Sequence, residues 1–122
     1  MKKAQSDPPA CTSNLMAMQD TLDVLGGKWK LLILHYLMFR ESETNTFKKI
    51  ERDITGISAK MLSKELKDLD TNRLVKRTVQ DTKPVSVRYD ITTYGKSTAS
   101  IIDQLVNWGK NHRIQLLQNN GF

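Results

Sequence analysis

Hydrophobic residues recur at helical spacing through the first third of the chain. Between Met16 and Leu25 their positions suit a short helix, which we expect to stop at the pair Gly26-Gly27 because glycine loses much backbone entropy on ordering. The segment from Lys28 to Phe39 is apolar around most of a helical circumference. This pattern predicts a helix that is buried on most sides and forms the centre of the core.

Two short helices joined by a tight turn are predicted next. The hydroxyl of Thr46 can cap a helix over Phe47 to Asp53, and Ser58 can cap a second helix after the break at Gly56. One side of the second helix has leucines at i, i+4 and i+7, namely Leu62, Leu66 and Leu69. Its opposite side carries hydrogen-bond donors, which are Lys60, Ser63, Lys64 and Lys67.

After Asn72 the pattern changes from helical to alternating, which predicts a β-hairpin. The first strand contains Val75 and Val79, a polar turn (QDTKP) follows, and the second strand runs from Val85 to Ile91. Pro84 fits the turn or the strand entry, because its missing amide costs no ladder hydrogen bond there. The hairpin is basic, with Lys76, Arg77, Lys83 and Arg88.

Helical spacing returns from Tyr94 to about Asn119, with an apolar surface that one small domain cannot easily cover. The whole order predicts an α+β fold, mostly α: a winged helix-turn-helix with additional terminal dimerisation helices. At 122 residues we expect a single domain. It should span residues 15–119, including the C-terminal dimerisation helix, after a flexible N-terminal arm (residues 1–14) and before a short tail (residues 120–122).

The net charge of the chain indicates what kind of partner the basic surfaces would bind. Lysine and arginine number 19 against 13 acidic residues, and the net charge of +6 attracts polyanions. In a winged helix-turn-helix the second helix fits the DNA major groove and the hairpin reaches neighbouring phosphates. Duplex DNA is therefore the expected partner. The alternative is that the lysines only form a solvated helix face.

Four segments resemble the HxlR-type regulators, which are relatives of the MarR winged-helix proteins. They are GGKWKLLIL (26–34), FKKIERDITGISAKMLSKELKDLDTNRLVKR (47–77), VRYDITTYGKS (87–97) and WGKNH (108–112). The likeness spans roughly Cys11 to His112, and it departs from the usual family pattern at Thr12, Thr46 and Thr55. It implies a bacterial transcription regulator that is a homodimer, with two recognition helices reading the half-sites of a near-palindromic operator.

These expectations translate into two sets of residues. The residues expected to bind DNA are Thr46, Lys48, Ser58, Lys60, Met61, Ser63, Lys64, Lys67, Lys76, Arg77, Lys83 and Arg88. The resemblance further implies that terminal helices of two subunits pack together, and the broad C-terminal apolar face asks for such a partner. The residues expected in that dimer interface are Leu15, Leu22, Ile101, Ile102, Leu105, Trp108 and Leu116.

Cys11 is the single cysteine, so the chain cannot form an intramolecular disulfide. Family members often carry a cysteine before the first helix, and in some it senses oxidants or electrophiles. Cys11 matches that place and is the redox-sensing candidate, with an oxidant or a small molecule as the effector that changes DNA binding. The alternative is an inert, partly buried thiol at the dimer seam.

Other chemistry finds no support in the sequence. There is no Gly-rich phosphate loop and no nucleophile elbow, and His35 and His112 are too isolated for a metal cluster. We expect no enzyme activity, no cofactor and no metal. Trp29 and Trp108 lie in apolar helical stripes and are expected to pack structurally.

The chain has neither a signal-peptide pattern at its start nor an apolar run that could span a membrane, which favours the cytoplasm. The sequence thus predicts a DNA-binding transcriptional regulator. The alternative is a winged-helix protein-interaction module without sequence-specific DNA binding.

Overall fold

The computed structural model describes residues 9–118, which form α-helices, one short 3₁₀ helix and one two-stranded sheet. The order is α1 (Pro9–Leu25), α2 (Lys30–Phe39), α3 (Phe47–Asp53), α4 (Ala59–Thr71), β1 (Val75–Gln80), β2 (Ser86–Ile91), a 3₁₀ helix (Gly95–Thr98) and α5 (Ala99–Leu117). The mostly helical content with one hairpin confirms the predicted α+β class.

The first helix is longer than the sequence pattern predicts. It begins at Pro9 rather than near Met16, so residues 9–14 are helical and not part of a flexible arm. Proline is tolerated in the first turn because its missing N–H has no partner there in any case. The polar residues that follow extend the helix at little cost once it is nucleated. The rest of the expected arm, residues 1–8, and the expected tail lie outside the described residues.

The core is built where α2 packs against α4 and the hairpin. Helix α2 starts at Lys30, two residues later than expected, and the apolar run that follows is as buried as predicted. The apolar residues with no more than 1% of their surface exposed are Ile33, Leu34, Leu37, Ile50, Leu62, Leu66, Leu69 and Val75. The leucine stripe of α4 therefore faces inward along its whole length.

Helix α5 is attached to this core by its first turns and then runs out over the surface. Ile102 is 5% exposed and belongs to the core, so its assignment to a dimer interface is wrong. It lies at the part of α5 that packs on α2, where one side of the helix is already covered within the subunit. Other large apolar residues of α5 are exposed, including Ile101, Leu105, Trp108 and Leu116.

The hairpin pairs residue by residue from Val75 opposite Ile91 to Gln80 opposite Ser86. Val85, expected in the second strand, lies in the turn instead, and the strand begins at Ser86. The residues before α3 extend the hairpin edge: the Tyr89 amide donates to the Asn45 carbonyl at 2.8 Å. This contact joins the start of the helix-turn-helix to the β1–β2 hairpin (residues 75–91), which is the wing of the fold.

A tight turn connects α4 to β1. The amide of Leu74 donates to the carbonyl of Leu69 at 2.9 Å, and the amide of Arg73 donates to the carbonyl of Asp70 at 3.0 Å. This is the Schellman arrangement, and its left-handed position is filled by Arg73, with φ of 64°, where glycine is the usual residue. The hydroxyl of Thr92 donates to the Arg73 carbonyl at 2.7 Å and holds the turn from the other side.

Candidate nucleic-acid interface

Two side-chain caps define the helix-turn-helix. The Thr46 hydroxyl accepts from the Lys49 amide at 3.2 Å at the start of α3, and the Ser58 hydroxyl accepts from the Met61 amide at 3.1 Å at the start of α4. Both caps were predicted from the sequence, and both are confirmed. Between the two helices Gly56 has φ of 90°, a left-handed conformation that favours glycine.

Helix α4 separates its apolar and polar residues as the sequence predicts. Its leucines are buried, while five of the predicted DNA-binding side chains lie on the exposed part of the helix: Lys60, Met61, Ser63, Lys64 and Lys67. Ser58 is exposed at the N-terminal end, where an approaching base edge or phosphate would first meet the helix.

The lysines of this face are not all equally free. The Lys64 ammonium lies 3.2 Å from the carboxylate of Asp68, one turn further along the helix. Exposed pairs of this kind contribute little stability, and the ammonium can exchange one anionic partner for another. Within residues 9–118, Lys60 and Lys67 have no carboxylate within salt-bridge distance.

The wing stands beside this face. Lys76, Arg77 and Lys83 are exposed, and Arg77 joins Ser63 and Lys67 in lining a cleft of about 290 Å³ between α4 and the hairpin. The cleft places Lys67 of the helix and Arg77 of the hairpin on one continuous surface, which Asp70 also lines.

Three of the expected contact residues are less simply placed. Arg88 is half-buried and forms a two-point ion pair with Asp90, at 3.0 and 3.1 Å. Thr46 is half-buried and its hydroxyl is used by the cap described above. Lys48 is exposed, but it lies on α3 rather than on α4.

A buried ion pair under α4 was missed by the sequence analysis. The Lys30 ammonium contacts the Glu65 carboxylate at 2.5 Å and that of Asp68 at 3.3 Å, and Lys30 and Glu65 are 8% and 5% exposed. Burial alone would lower the pKa of Lys30, but hydrogen bonds and attraction from the two carboxylates outweigh it and raise that pKa. The available signal was Glu65 itself, which lies on the leucine stripe.

A second polar network joins α2 to α3. The Tyr36 hydroxyl donates to Asp53 at 2.7 Å, and the Lys49 ammonium contacts Tyr36, Asn45 and Glu43 at 3.0, 2.9 and 2.7 Å. The hydrogen bond from Tyr36, followed by one from Arg52, lowers the pKa of Asp53. This network fixes the first helix of the helix-turn-helix on the core.

The two terminal helices carry the remaining candidates. Leu15 and Leu22 of α1 are exposed, as are Ile101, Leu105, Trp108 and Leu116 of α5. An apolar groove of about 690 Å³ lies between α1, α2 and α5. Cys11 is exposed in the first turn of α1.

A sequence model described as HxlR-like helix-turn-helix matches residues 24–116, which include the core, α4 and the wing. The chain belongs to this family. The matched region contains all four of the segments that resemble the family, and it extends from the end of α1 almost to the end of α5.

Named relatives agree with this assignment. The HxlR-family chain is 36% identical over 97 residues to the "Uncharacterized HTH-type transcriptional regulator YtcD" of Bacillus subtilis (strain 168), covering 80% of this chain and 75% of that protein. It is 35% identical over 91 residues to the HTH-type transcriptional regulator YodB of the same organism, covering 75% and 79%.

Solved structures give the same result for the fold. A crystal structure of the putative regulator ytcD covers 78% of this chain and 94% of its own, with a TM-score of 0.71 and 35% identity. The redox regulator HypR in its reduced form covers 84% and 98%, with a TM-score of 0.73 and 29% identity. The winged helix-turn-helix prediction is confirmed, and the HxlR-family chain is a transcriptional regulator of this type rather than an enzyme.

Residues 9–118 contain neither a cluster of metal-binding side chains nor a membrane-spanning helix. No group of three or more histidine, cysteine or acidic side chains in this range could hold a metal ion. None of the helices described here is long and apolar enough to cross a membrane.

Proposed function

We propose that the protein binds duplex DNA as a homodimer and regulates transcription from a near-palindromic operator. Helix α4 is the recognition helix, and the hairpin contacts phosphates beside the groove. The observation that carries the proposal is the cleft in which Ser63 and Lys67 of the exposed face of α4 adjoin Arg77 of the wing. A helix fits the major groove, and the basic hairpin supplies attraction that does not depend on sequence.

The homodimer is supported by the apolar residues that remain exposed on α1 and α5. A monomer would leave Leu22, Leu105 and Trp108 in water, at 59%, 50% and 67% of their full exposure. Two-fold packing of these helices would cover them and place two α4 helices on one side of the dimer. Half-site centres are then expected about one helical turn of DNA apart, roughly 34 Å, or a multiple of it.

The first test is the salt dependence of binding. Duplexes selected from a random pool by the purified protein supply the operator, and the dissociation constant is measured over a range of salt. A dimer that neutralises about 8 phosphates gives a slope of log K against log salt near −7. A nearly flat dependence contradicts the proposal, and failure to select any duplex favours the protein-interaction module instead.

The second test separates base reading from phosphate attraction. Lys64→Ala should weaken operator binding by roughly 1 to 3 kcal/mol and relax the base preference at one position of each half-site. Lys110→Ala is the matched control, because it removes an exposed lysine from α5 and changes the net charge equally. Equal losses for both variants would mean that Lys64 contributes charge only.

Redox control through Cys11 is a second candidate, favoured by the exposed thiol in the first turn of α1. Structural neighbours include "Redox regulator HypR in its oxidized form" and a "diamide-treated YodB". Diamide should change operator affinity in the wild type, while Cys11→Ser should bind with unchanged affinity and give no response. A response that persists in Cys11→Ser excludes this thiol as the sensor.

A further inference from the structure

The buried pair of Lys30 and Glu65 joins the central helix to the recognition helix. Lys30 is the first residue of α2, and Glu65 lies at the middle of α4 between Leu62 and Leu66. The Lys30 ammonium and the Glu65 carboxylate are 2.5 Å apart and almost fully enclosed. Side-chain nitrogen and oxygen atoms buried within residues 9–118 all have a hydrogen-bond partner.

Asp68 links the buried ion pair to the exposed face of α4. Asp68 accepts from Lys30 at 3.3 Å and from Lys64 at 3.2 Å, so one carboxylate contacts both the buried cation and a predicted DNA-reading lysine. The hydrogen bond from Lys64, with further attraction from Lys30, lowers the pKa of Asp68. A rotation of α4 about its axis would break this sequence of contacts.

Trp29, the residue before Lys30, contacts the turn of the helix-turn-helix. A Trp29 ring carbon lies 3.8 Å from the position that a Cβ on Gly56 would take, so the indole packs on the turn between α3 and α4. Two neighbouring side chains therefore contact the turn and the middle of α4. The short segment that carries them follows directly from α1 through Gly26 and Gly27.

A buried ion pair is a weak source of stability, because removing two charges from water costs several kcal/mol and the attraction only offsets that cost. Apolar residues of similar volume in the same place are often neutral or stabilising. Apolar contacts between leucines have no preferred direction. The Lys30 ammonium, in contrast, is held by two carboxylates of α4, at 2.5 Å from Glu65 and 3.3 Å from Asp68, and only a narrow range of α4 rotations keeps both contacts. Compared with apolar residues in the same place, the distinctive effect of the ion pair is to orient α4 on α2.

We propose that Lys30 is a positioning residue for DNA reading, whose ion pair with Glu65 sets the orientation of α4 on α2 and thereby the preference for the operator over other DNA. Neither side chain touches DNA, and neither is needed for a stable fold. The DNA consequence rests on the function proposed above, while the orientation itself can be measured without DNA.

The test uses the double variant Lys30→Met/Glu65→Met in the full chain. It removes both charges, so the net charge remains +6 and the long-range attraction to DNA is unaltered. Its matched control is Asp23→Asn/Lys110→Gln, which removes one acidic and one basic side chain that are exposed. The conservative variant Glu65→Gln keeps an oxygen that can accept from the Lys30 ammonium.

Three quantities are measured for each protein: the melting temperature, the ratio of affinities for the selected operator and a scrambled duplex, and residual dipolar couplings of α2 and α4 amides without DNA. For the double variant we expect a melting temperature within about 5 °C of wild type. The affinity ratio should fall about tenfold because the affinity for the operator falls, while the affinity for the scrambled duplex stays the same. The couplings should report a changed or averaged orientation of α4.

The control should match the wild type in all three quantities, and Glu65→Gln should keep most of the operator preference. The proposal is overturned if the double variant fails to fold, since the pair is then structural. It is also overturned if the couplings and the affinity ratio are unchanged. If the wild type itself shows no operator preference, the proposed function fails, and the couplings still decide whether the pair orients α4.

Discussion

The carboxylate of Asp53 holds the C-terminal end of α3 against the core. It accepts from the Tyr36 hydroxyl at 2.7 Å and from the Arg52 guanidinium at 3.1 Å, and these contacts lower its pKa in the folded protein. The unfolded chain has an ordinary carboxyl there and binds the proton more readily. The folded state is therefore favoured above the ordinary pKa of about 4, and this contribution is lost as the pH falls through the lower, folded value.

The free energy of unfolding should accordingly decrease between about pH 5 and pH 3, and Asp53→Asn should make that decrease shallower. Urea titrations of both proteins across this range measure the effect. Asp53→Asn also loses part of the stability at pH 7, since the charged partner of Tyr36 is gone. Parallel pH profiles for the two proteins would show that Asp53 does not contribute to acid sensitivity.

Single residues were predictable from the sequence where a local rule decides their role. Thr46 and Ser58 cap the helices as expected, because an N-cap depends only on the next three residues. Lys30 was not predicted, since its partners Glu65 and Asp68 lie more than thirty residues away and the chain pattern marks it only as the polar start of an apolar helix. The spacing of residues within one segment does not show which distant residues will form a pair.

Two glycines show how an element depends on its neighbours. A Cβ on Gly95, at the start of the 3₁₀ helix, would lie 2.1 Å from the Leu74 carbonyl oxygen and 2.7 Å from Ile91 Cδ1. A Cβ on Gly109, inside α5, would meet nothing within 4 Å. The first glycine permits close packing of the 3₁₀ helix on the hairpin, while the second only weakens its helix.

Gly95→Ala should therefore destabilise the protein by about 2 to 3 kcal/mol, because the backbone of one element must move. Gly109→Ala should stabilise it by roughly 0.5 to 1 kcal/mol through helix propensity. Denaturant unfolding monitored by circular dichroism measures both changes. Destabilisation of similar size in the two variants would contradict the close contact at Gly95.

At the scale of elements the sequence pattern was accurate in the middle of the chain and less so at its start. The hairpin and α4 followed from alternation and from the leucine stripe, because both elements have one buried face. The early start of α1 at Pro9 was missed, since its first turns bury nothing and so have no apolar period. Ile102 was misplaced because spacing along α5 does not distinguish a face that packs inside the subunit from one that is exposed.

At the scale of the whole molecule, the proposed dimer depends on the two terminal helices, α1 and α5. Leu105 is half exposed and borders the groove between α1 and α5, where the proposed dimer would bury it. Leu105→Glu should place a charge in that interface and give a mass of 14.0 kDa in sedimentation equilibrium, against twice that mass for the wild type.

The control for this substitution is Val85→Glu in the hairpin turn, where the side chain is 64% exposed and distant in sequence from both terminal helices. It should remain dimeric. The monomeric variant should lose operator preference, because a single α4 reads one half-site. A dimer of unchanged strength in Leu105→Glu would place the interface elsewhere.

The turn between α4 and β1 has a consequence for how DNA is met. Its backbone hydrogen bonds, together with the Thr92 hydroxyl, leave α4 and the hairpin little freedom to move relative to each other. In the proposed DNA complex the groove and phosphate contacts are therefore preorganised at one separation, and the conformational entropy of arranging them is lost when the chain folds rather than on association. A looser turn would weaken binding without the loss of a single contact.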